Sequence, residues 1–283
     1  MISFPEAILL GLLQGFAELF PISSLGHSVL IPALLGWNLD QSSDGFLSFI
    51  VLTHLATALV LLAFFWRDWL RIIAGIFRSL RQREIRAEDT YARIGWLLIV
   101  ATIPAGVLGI LFEERLKQLF AVADVIAVVL ILNGIALYAV ERLFRWRRSD
   151  EGAYDDESIA ALTWTNCLTI GLAQCLALLP GFSRTGMTIA GGLSTGLSHD
   201  NAARFSFLLA TPIILAAAVL KVPDLFATGL AGAGPAFVGA ICSAASAFVS
   251  VRFLLRYFES RTLTPFAIYC VAAGLLSLAL LRF

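Results

Sequence analysis

Long, uninterrupted apolar stretches constrain this sequence more than any other feature. Six of them are long enough to cross about 30 Å of hydrocarbon as helices. Only 14% of the 283 residues are charged, whereas soluble domains carry about 25%. The sequence therefore predicts an all-α polytopic membrane protein. Its predicted spans are 46–66, 94–112, 122–140, 205–222, 235–258 and 265–281.

Arginine residues cluster in three connections: between the first two spans, after the third, and between the last two. Positively charged connections stay on the cytoplasmic side, so both termini are predicted to be periplasmic or otherwise extracytoplasmic. The first cluster, 66–81, predicts a basic helix at the inner membrane surface. Acidic and basic residues balance at 20 each, so net charge does not indicate nucleic-acid binding, and no nucleic acid is expected as a partner.

Two further hydrophobic regions, 4–37 and 160–197, are too interrupted to be simple spans, and they resemble each other. The run GLLQGFAELFPISSLGH beginning at Gly11 parallels GLAQCLALLPGFSRTGM beginning at Gly171. A second match follows, SFIVLTHLATALV against SFLLATPIILAAAV. This agreement predicts an internal duplication within a single integral membrane domain. Repeat 1 covers about 1–145 and repeat 2 about 158–283, and a polar cytoplasmic linker, about 146–157, joins them. Its acidic part, 150–157, is expected to be a solvated loop.

The arrangement of the two copies follows from the number of crossings. Each half contains one interrupted segment and three spans, and an odd number of crossings turns the second copy upside down. The predicted fold is therefore an inverted-topology repeat, each half a re-entrant helix pair plus three transmembrane helices. In such folds the broken helices meet near the bilayer midplane, where irregular backbone lines a protein cavity.

The interrupted segments hold the polar residues that could carry chemistry. Gln14 and Glu18 lie one turn apart on one helix face. Pro21 is expected to end the first half-helix, and a serine caps the second. The free amides of such a helix start can bind phosphate, and Pro180 precedes a second start of the same kind. The candidate substrate-binding residues are Gln14, Ser23, Gly26, Ser183, Thr185, Gly186 and Thr188.

Arg184 is the predicted clamp for a diphosphate, because its planar guanidinium can grip two phosphate oxygens. An ionised side chain in hydrocarbon costs on the order of 3 kcal/mol, so Glu18 and Arg184 need partners or water. Pairing with each other is the purely structural alternative. His54 lies in the middle of the first span, but its counterpart in the second repeat is Pro212. We therefore expect His54 to serve helix packing or a hydrogen bond and leave it out of the site.

Three motifs together identify a family. They are Gln14 and Glu18 at a spacing of four, the element PISSLGH from Pro21 to His27, and PGFSRTGMT from Pro180 to Thr188. Over nearly its whole length the chain resembles the bacterial undecaprenyl-pyrophosphate phosphatases, also called bacitracin-resistance proteins. It departs from the commoner pattern at Gln14, which is often Glu, at Leu25, which is often Thr, and at Thr185, which is often Ser.

The resemblance implies an enzyme of the bacterial plasma (inner) membrane. It would hydrolyse undecaprenyl (C55 polyprenyl) diphosphate to undecaprenyl phosphate and inorganic phosphate. That reaction recycles the lipid carrier for peptidoglycan and cell-wall synthesis and confers bacitracin resistance. A divalent cation, Mg²⁺ or Ca²⁺, is the implied cofactor, with Glu18 as its candidate ligand.

Several alternatives remain open at this level. We expect Ser24 to attack the terminal phosphorus, Glu18 to accept its proton or hold the metal, and His27 to orient Ser24 or protonate the leaving group. In the alternative, His27 is the nucleophile, and residue spacing does not distinguish the two assignments.

We expect the site to open outward, because the first re-entrant pair enters from that face. A secondary transporter or lipid-phosphate flippase would share the fold, and a small-residue stripe at 239, 243 and 247 suits packing within the fold or in a homodimer.

Overall fold

The protein is all-helical in the computed structural model, which describes residues 2–37, 39, 43–86, 88–112, 122–144, 155–227 and 233–282. In these ranges the chain forms twelve α-helices. They are α1 Phe4–Leu19, α2 Ser24–Leu34, α3 Asp44–Phe64, α4 Trp66–Gln82, α5 Thr90–Leu111, α6 Ala123–Phe144, α7 Asp156–Ala160, α8 Trp164–Cys175, α9 Arg184–Ser194, α10 His199–Ala227, α11 Ala233–Phe258 and α12 Thr264–Leu281.

Five segments of the described chain are long and apolar enough to cross a membrane as single helices. They are Thr90–Leu111, Ala123–Phe144, His199–Ala218, Gly234–Phe258 and Thr264–Leu281. A sixth crossing results if the bent pair Ser48–Phe64 and Trp66–Gln82 is one span. The chain is therefore a multi-pass membrane protein, as its apolar stretches predict.

The first predicted span ends too late. Its helix, α3, stops at Phe64, and α4 leaves at an angle of 81° beginning with Trp66. Gly75 explains the direction of α4, because a Cβ atom there would lie 2.5 Å from the backbone nitrogen of Ala92 in α5. Close packing on α5 holds the basic helix at this angle, and its arginine side is exposed.

Both interrupted segments form a helix, a break and a second helix. A capping box starts α1, since the carboxylate of Glu6 accepts a 2.7 Å hydrogen bond from the amide of Ser3. α1 ends at Leu19 because the residues before Pro21 are biased away from helical backbone. In the second segment α8 runs into a 3₁₀ turn, Leu176–Leu178, before Pro180.

The stripe of small residues on α11 packs against α1 within the chain. A Cβ atom on Gly11 would lie 2.7 Å from the Cα atom of Gly239, and one on Gly15 would overlap the carbonyl oxygen of Ser243. Glycine therefore lets the two backbones touch, and the stripe serves packing within the fold, one of the two uses that the sequence left open. α5 and α8 meet in a similar way, with Gly171 against the backbone of α5.

The end of the predicted linker is more ordered than a solvated loop. Residues 145–154 lie outside the described ranges, but Asp156 and Glu157 belong to α7. Asp156 accepts hydrogen bonds of 3.0 Å from Arg204 Nε and from the hydroxyl of Tyr91. Arg204 is largely buried and also pairs with Asp68 at 3.3 Å. The expectation of a solvated loop is therefore wrong for Asp156, because a buried arginine needs its carboxylate.

Candidate active site

Glu18, in the last turn of α1, is the centre of a buried polar cluster. Its side chain is 7% exposed. Its Oε1 atom accepts a 2.8 Å hydrogen bond from Arg184 Nη2, at the start of α9. Its Oε2 atom accepts hydrogen bonds from Ser24 Oγ (2.5 Å) and from Gln14 Nε2 (3.1 Å). The structure thus brings together the acid, the hydroxyl, the amide and the guanidinium that the sequence singles out.

The turn between α1 and α2 aims Ser24 at Glu18. Ser23 has φ +69°, a left-handed conformation that costs a non-glycine residue energy and that is concentrated at functional sites. Its hydroxyl accepts a hydrogen bond from the amide of Gly26 at 3.2 Å, which confirms the predicted cap. The corresponding cap on α9 is Ser183, whose hydroxyl accepts from the amide of Gly186 at 3.1 Å.

Glycines let the two motif loops approach each other closely. A Cβ atom on Gly26 would lie 3.3 Å from the Cα atom of Gly181, and one on Gly186 would lie 3.1 Å from Cβ of Pro21. Gly181 itself has φ +111°, which side-chain-bearing residues rarely adopt. The two half-helix starts therefore face one shared region.

Two hydroxyls at the start of α9 bond to the end of α1. Ser183 Oγ donates to the carbonyl of Phe20 at 3.3 Å, and Thr185 Oγ1 donates to the backbone carbonyl of Glu18 at 2.8 Å. Thr188 Oγ1 donates to the carbonyl of Arg184 in its own helix at 2.8 Å. These contacts are within the protein, so the substrate-binding roles expected for the three residues stay predictions.

The hydrogen bonds of the His27 ring go to Ser23 and Tyr269. Its Nδ1 atom donates to the carbonyl of Ser23 at 2.7 Å, and its Nε2 atom lies 2.8 Å from the hydroxyl of Tyr269. The His27 and Tyr269 rings also stack, with centroids 5.7 Å apart. None of the hydrogen bonds found in the described ranges joins His27 to Ser24, so its role in orienting Ser24 stays a prediction.

Sequence reasoning missed two residues of the cluster. His54 Nε2 lies 3.3 Å from Glu18 Oε2, so leaving His54 out of the site was wrong as a statement of position. Asn133, fully buried in α6, donates from Nδ2 to the carbonyl of Pro21 (3.2 Å) and accepts at Oδ1 from the amide of Ser183 (3.0 Å). The sequence does offer a signal that could have found both residues: each is a polar side chain in the middle of an apolar span.

Two atoms of the cluster are buried and have no hydrogen-bond partner in the described structure: Gln14 Oε1 and Arg184 Nη1. The first is an acceptor and the second a charged donor. The caps also leave the first two amides of α2 and of α9 without intrahelical partners. The cluster therefore combines a hydroxyl beside a carboxylate, which can act as nucleophile and base, with unused donors suited to an anion.

Comparisons with known proteins agree on one family. Residues 7–276 match the family model described as Bacitracin resistance protein BacA. The chain is 50% identical to an undecaprenyl-diphosphatase of Mycolicibacterium paratuberculosis, covering 96% of this chain and 95% of that protein. It is 45% identical to an undecaprenyl-diphosphatase of Acidiphilium cryptum, covering 98% of each.

Proposed function

Because the chain belongs to the family of the bacitracin resistance protein BacA, we propose that it hydrolyses undecaprenyl diphosphate to undecaprenyl phosphate and inorganic phosphate. The reaction recycles the lipid carrier of cell-wall synthesis in the bacterial inner membrane and confers resistance to bacitracin. The names of relatives 45–50% identical over nearly the full length support this. The observation that carries the proposal is the contact of Glu18 with both Ser24 and Arg184.

The chemistry follows from that contact. Ser24 Oγ bonds to the terminal phosphorus while the bond from that phosphorus to the bridging oxygen breaks, and undecaprenyl phosphate leaves. Glu18 Oε2, 2.5 Å from the hydroxyl, takes the serine proton. Water then bonds to the phosphorus of the phosphoserine, the bond from Ser24 to phosphorus breaks, and the proton on Glu18 returns to Ser24. Phosphoryl transfer depends mostly on such positioning and on charge stabilisation.

Arg184 and the helix starts supply the charge stabilisation. Arg184 Nη2 is held by Glu18, which leaves the buried Nη1 atom to donate to a phosphate oxygen. The first amides of α2 and α9 lack intrahelical partners, and the helix dipole at each start favours negative charge. These donors act on oxygens whose charge rises in the transition state.

A divalent cation, Mg²⁺ or Ca²⁺, fits this donor set. Both ions prefer oxygen ligands. Gln14 Oε1, which is buried next to Glu18, has no hydrogen-bond partner in the described structure. Gln14 Oε1 and phosphate oxygens would hold the ion, with Glu18 as a further ligand when it does not carry the serine proton. No three acidic, histidine or cysteine side chains converge in the described ranges. When bound, the ion would neutralise charge on the diphosphate.

Ser24 rather than His27 is the proposed nucleophile, because Ser24 has a carboxylate beside it and His27 faces Tyr269. Trapping the phosphoenzyme distinguishes the two residues. Phosphoserine survives acid, whereas phosphohistidine does not. An acid-labile label that persists in Ser24→Ala would overturn this assignment.

We also propose that the two halves form an inverted-topology repeat, with α1–α2 and α8–α9 as re-entrant pairs. Three observations support this: both segments break at equivalent prolines, both first half-helices pack through glycine on a long helix, and α6 contacts α9 as α12 contacts α2. The repeats keep the boundaries given above, both termini lie outside the cytoplasm, and the site opens outward. Cysteine labelling of residues near each terminus with an impermeant reagent in intact cells tests the orientation.

A lipid-phosphate carrier of the same fold is the rival function. Phosphate release from undecaprenyl diphosphate by the purified protein in detergent separates the two, because a carrier binds the lipid without cleaving it. We expect Ser24→Ala and Arg184→Ala each to lower kcat by at least about 100-fold. Ser250→Ala is the matched control, since that buried hydroxyl only donates to a carbonyl of its own helix. Binding of the lipid without release of phosphate would refute the hydrolase.

A further inference from the structure

Glu18 is held by contacts that differ in what they can do during the reaction. Gln14 lies on the same helix, one turn away, so it moves together with Glu18. Ser24 gives up its hydrogen in the proposed first step, and its contact with Oε2 changes there. Arg184 binds the other oxygen, Oε1. A contact that holds Oε2 throughout the reaction must therefore come from another residue on another helix.

His54, in the middle of α3, is in the right place for that attachment. Its Nε2 atom lies 3.3 Å from Glu18 Oε2. The ring cannot rotate freely, because Nδ1 donates to the carbonyl of Ile50 at 2.8 Å. The ring is mostly buried and sits outside both motif loops. Both ring nitrogens face oxygen acceptors, so the ring donates to both with a hydrogen on each nitrogen, and its Nε2 edge is fixed toward the carboxylate.

The helix that carries His54 is itself fixed relative to Glu18. Thr57 Oγ1 lies 3.0 Å from the hydroxyl of Ser243 in α11, and that hydroxyl donates to the carbonyl of Thr53 at 2.9 Å. The same part of α11 is in direct backbone contact with Gly15 of α1, one turn before Glu18. α3, α11 and α1 thus form one packed unit that sets the distance from His54 to Glu18.

Packing alone does not require a histidine at this position. The matching residue of the second repeat is Pro212 in α10, a long helix that packs against α3. His54 instead faces the one carboxylate of the cluster. A histidine stands at this position only in the first repeat, and the first repeat is also the one that carries Glu18.

We propose that His54 is a positioning residue for this hydrolysis: it holds Oε2 of Glu18 in line with Ser24 while the proton moves. The proposal rests on the hydrolase function argued above. A shift of about 1 Å in a catalytic group can lower a rate about 100-fold. Loss of His54 should act on the chemical step, and substrate binding should change little.

The test uses the full-length purified protein and undecaprenyl diphosphate. His54→Leu should lower kcat by about 10- to 100-fold with little change in KM. His54→Gln should recover most of the loss, since a side-chain amide can still donate to Oε2. Thr211→Val, which removes a buried hydroxyl bonded to its own helix beside Pro212, should retain the original kcat. Equal loss in His54→Leu and His54→Gln, or no loss in His54→Leu, overturns the proposal.

A second measurement tests the contact between His54 and Glu18 without catalysis, so its outcome does not depend on the hydrolase function. His54→Leu and Glu18→Gln are combined in a double-mutant cycle, with the thermal unfolding midpoint as the readout. Shifts that do not add indicate that the two side chains interact. Additive shifts overturn the contact on which the proposal depends, whatever the protein hydrolyses.

Discussion

Asn133→Leu tests whether the two motif loops depend on one buried side chain. Leu keeps the branched shape of Asn but is bulkier, so it leaves no cavity and any overpacking adds to the loss. It removes the donor to the Pro21 carbonyl and the acceptor for the Ser183 amide. A buried group that loses its partner costs about 1–3 kcal/mol, and hydrogen bonds between membrane helices average about 0.6 kcal/mol. Two such bonds predict a destabilisation of about 1–3 kcal/mol.

The assay for Asn133→Leu pairs thermal unfolding in detergent with phosphate release. We expect a lower midpoint and a kcat reduced by about tenfold or more, because Ser24 and Arg184 lie on the separated loops. Cys270→Ala is the matched control. It removes a weak hydrogen-bonding group that lies 3.3 Å from Asn133 Nδ2 and 3.7 Å from the Pro21 carbonyl oxygen, and it leaves both loop bonds of Asn133 intact. An unchanged midpoint and kcat in Asn133→Leu, or an equal loss in Cys270→Ala, would refute the reasoning.

Three further predictions use the same assays. Arg184→Lys should lower kcat/KM by about 10- to 100-fold, because one ammonium cannot bind Glu18 and a phosphate as a planar fork does; activity equal to the original would contradict the clamp. Gly15→Val should abolish the monodisperse peak in size-exclusion chromatography, because its Cβ overlaps the backbone of Ser243, whereas Gly106→Val, with open space around it, should not. A chelator should stop phosphate release and added Mg²⁺ or Ca²⁺ should restore it; full activity in chelator would exclude the proposed cation.

Local signals in the sequence predict local structure well. Pro21 and the serine that follows it specify where one half-helix ends and the next begins, since both effects act within one turn. The apolar stretches likewise give the ends of most spans to within four residues, although the helix around 205–222 begins at His199 and ends at Ala227. The bend at Phe65 was missed because the apolar stretch runs on to Trp66, and only the packing of Gly75 on α5 turns the chain.

Contacts across the fold could not be read in the same way. His54 and Glu18 are 36 positions apart, and Asn133 joins loops that the sequence separates by more than a hundred residues. A pattern of apolar residues shows that such side chains need partners, but it does not show which partners they have. The repeat comparison even misled, because Pro212 made His54 look dispensable.

The Glu18–Arg184 pair has a purely structural interpretation, and the unused atoms around it argue against that interpretation. A buried polar network stabilises a fold only when every member is satisfied, since a partly satisfied network is worse than an apolar core. Here Arg184 Nη1 and Gln14 Oε1 are both buried and unpaired in the described structure. An ion pair kept for stability alone would have no reason to retain a free charged donor and a free acceptor beside one carboxylate. A bound phosphate and its counter-ion would satisfy both atoms, so the cluster is better explained as a binding site than as a brace between helices.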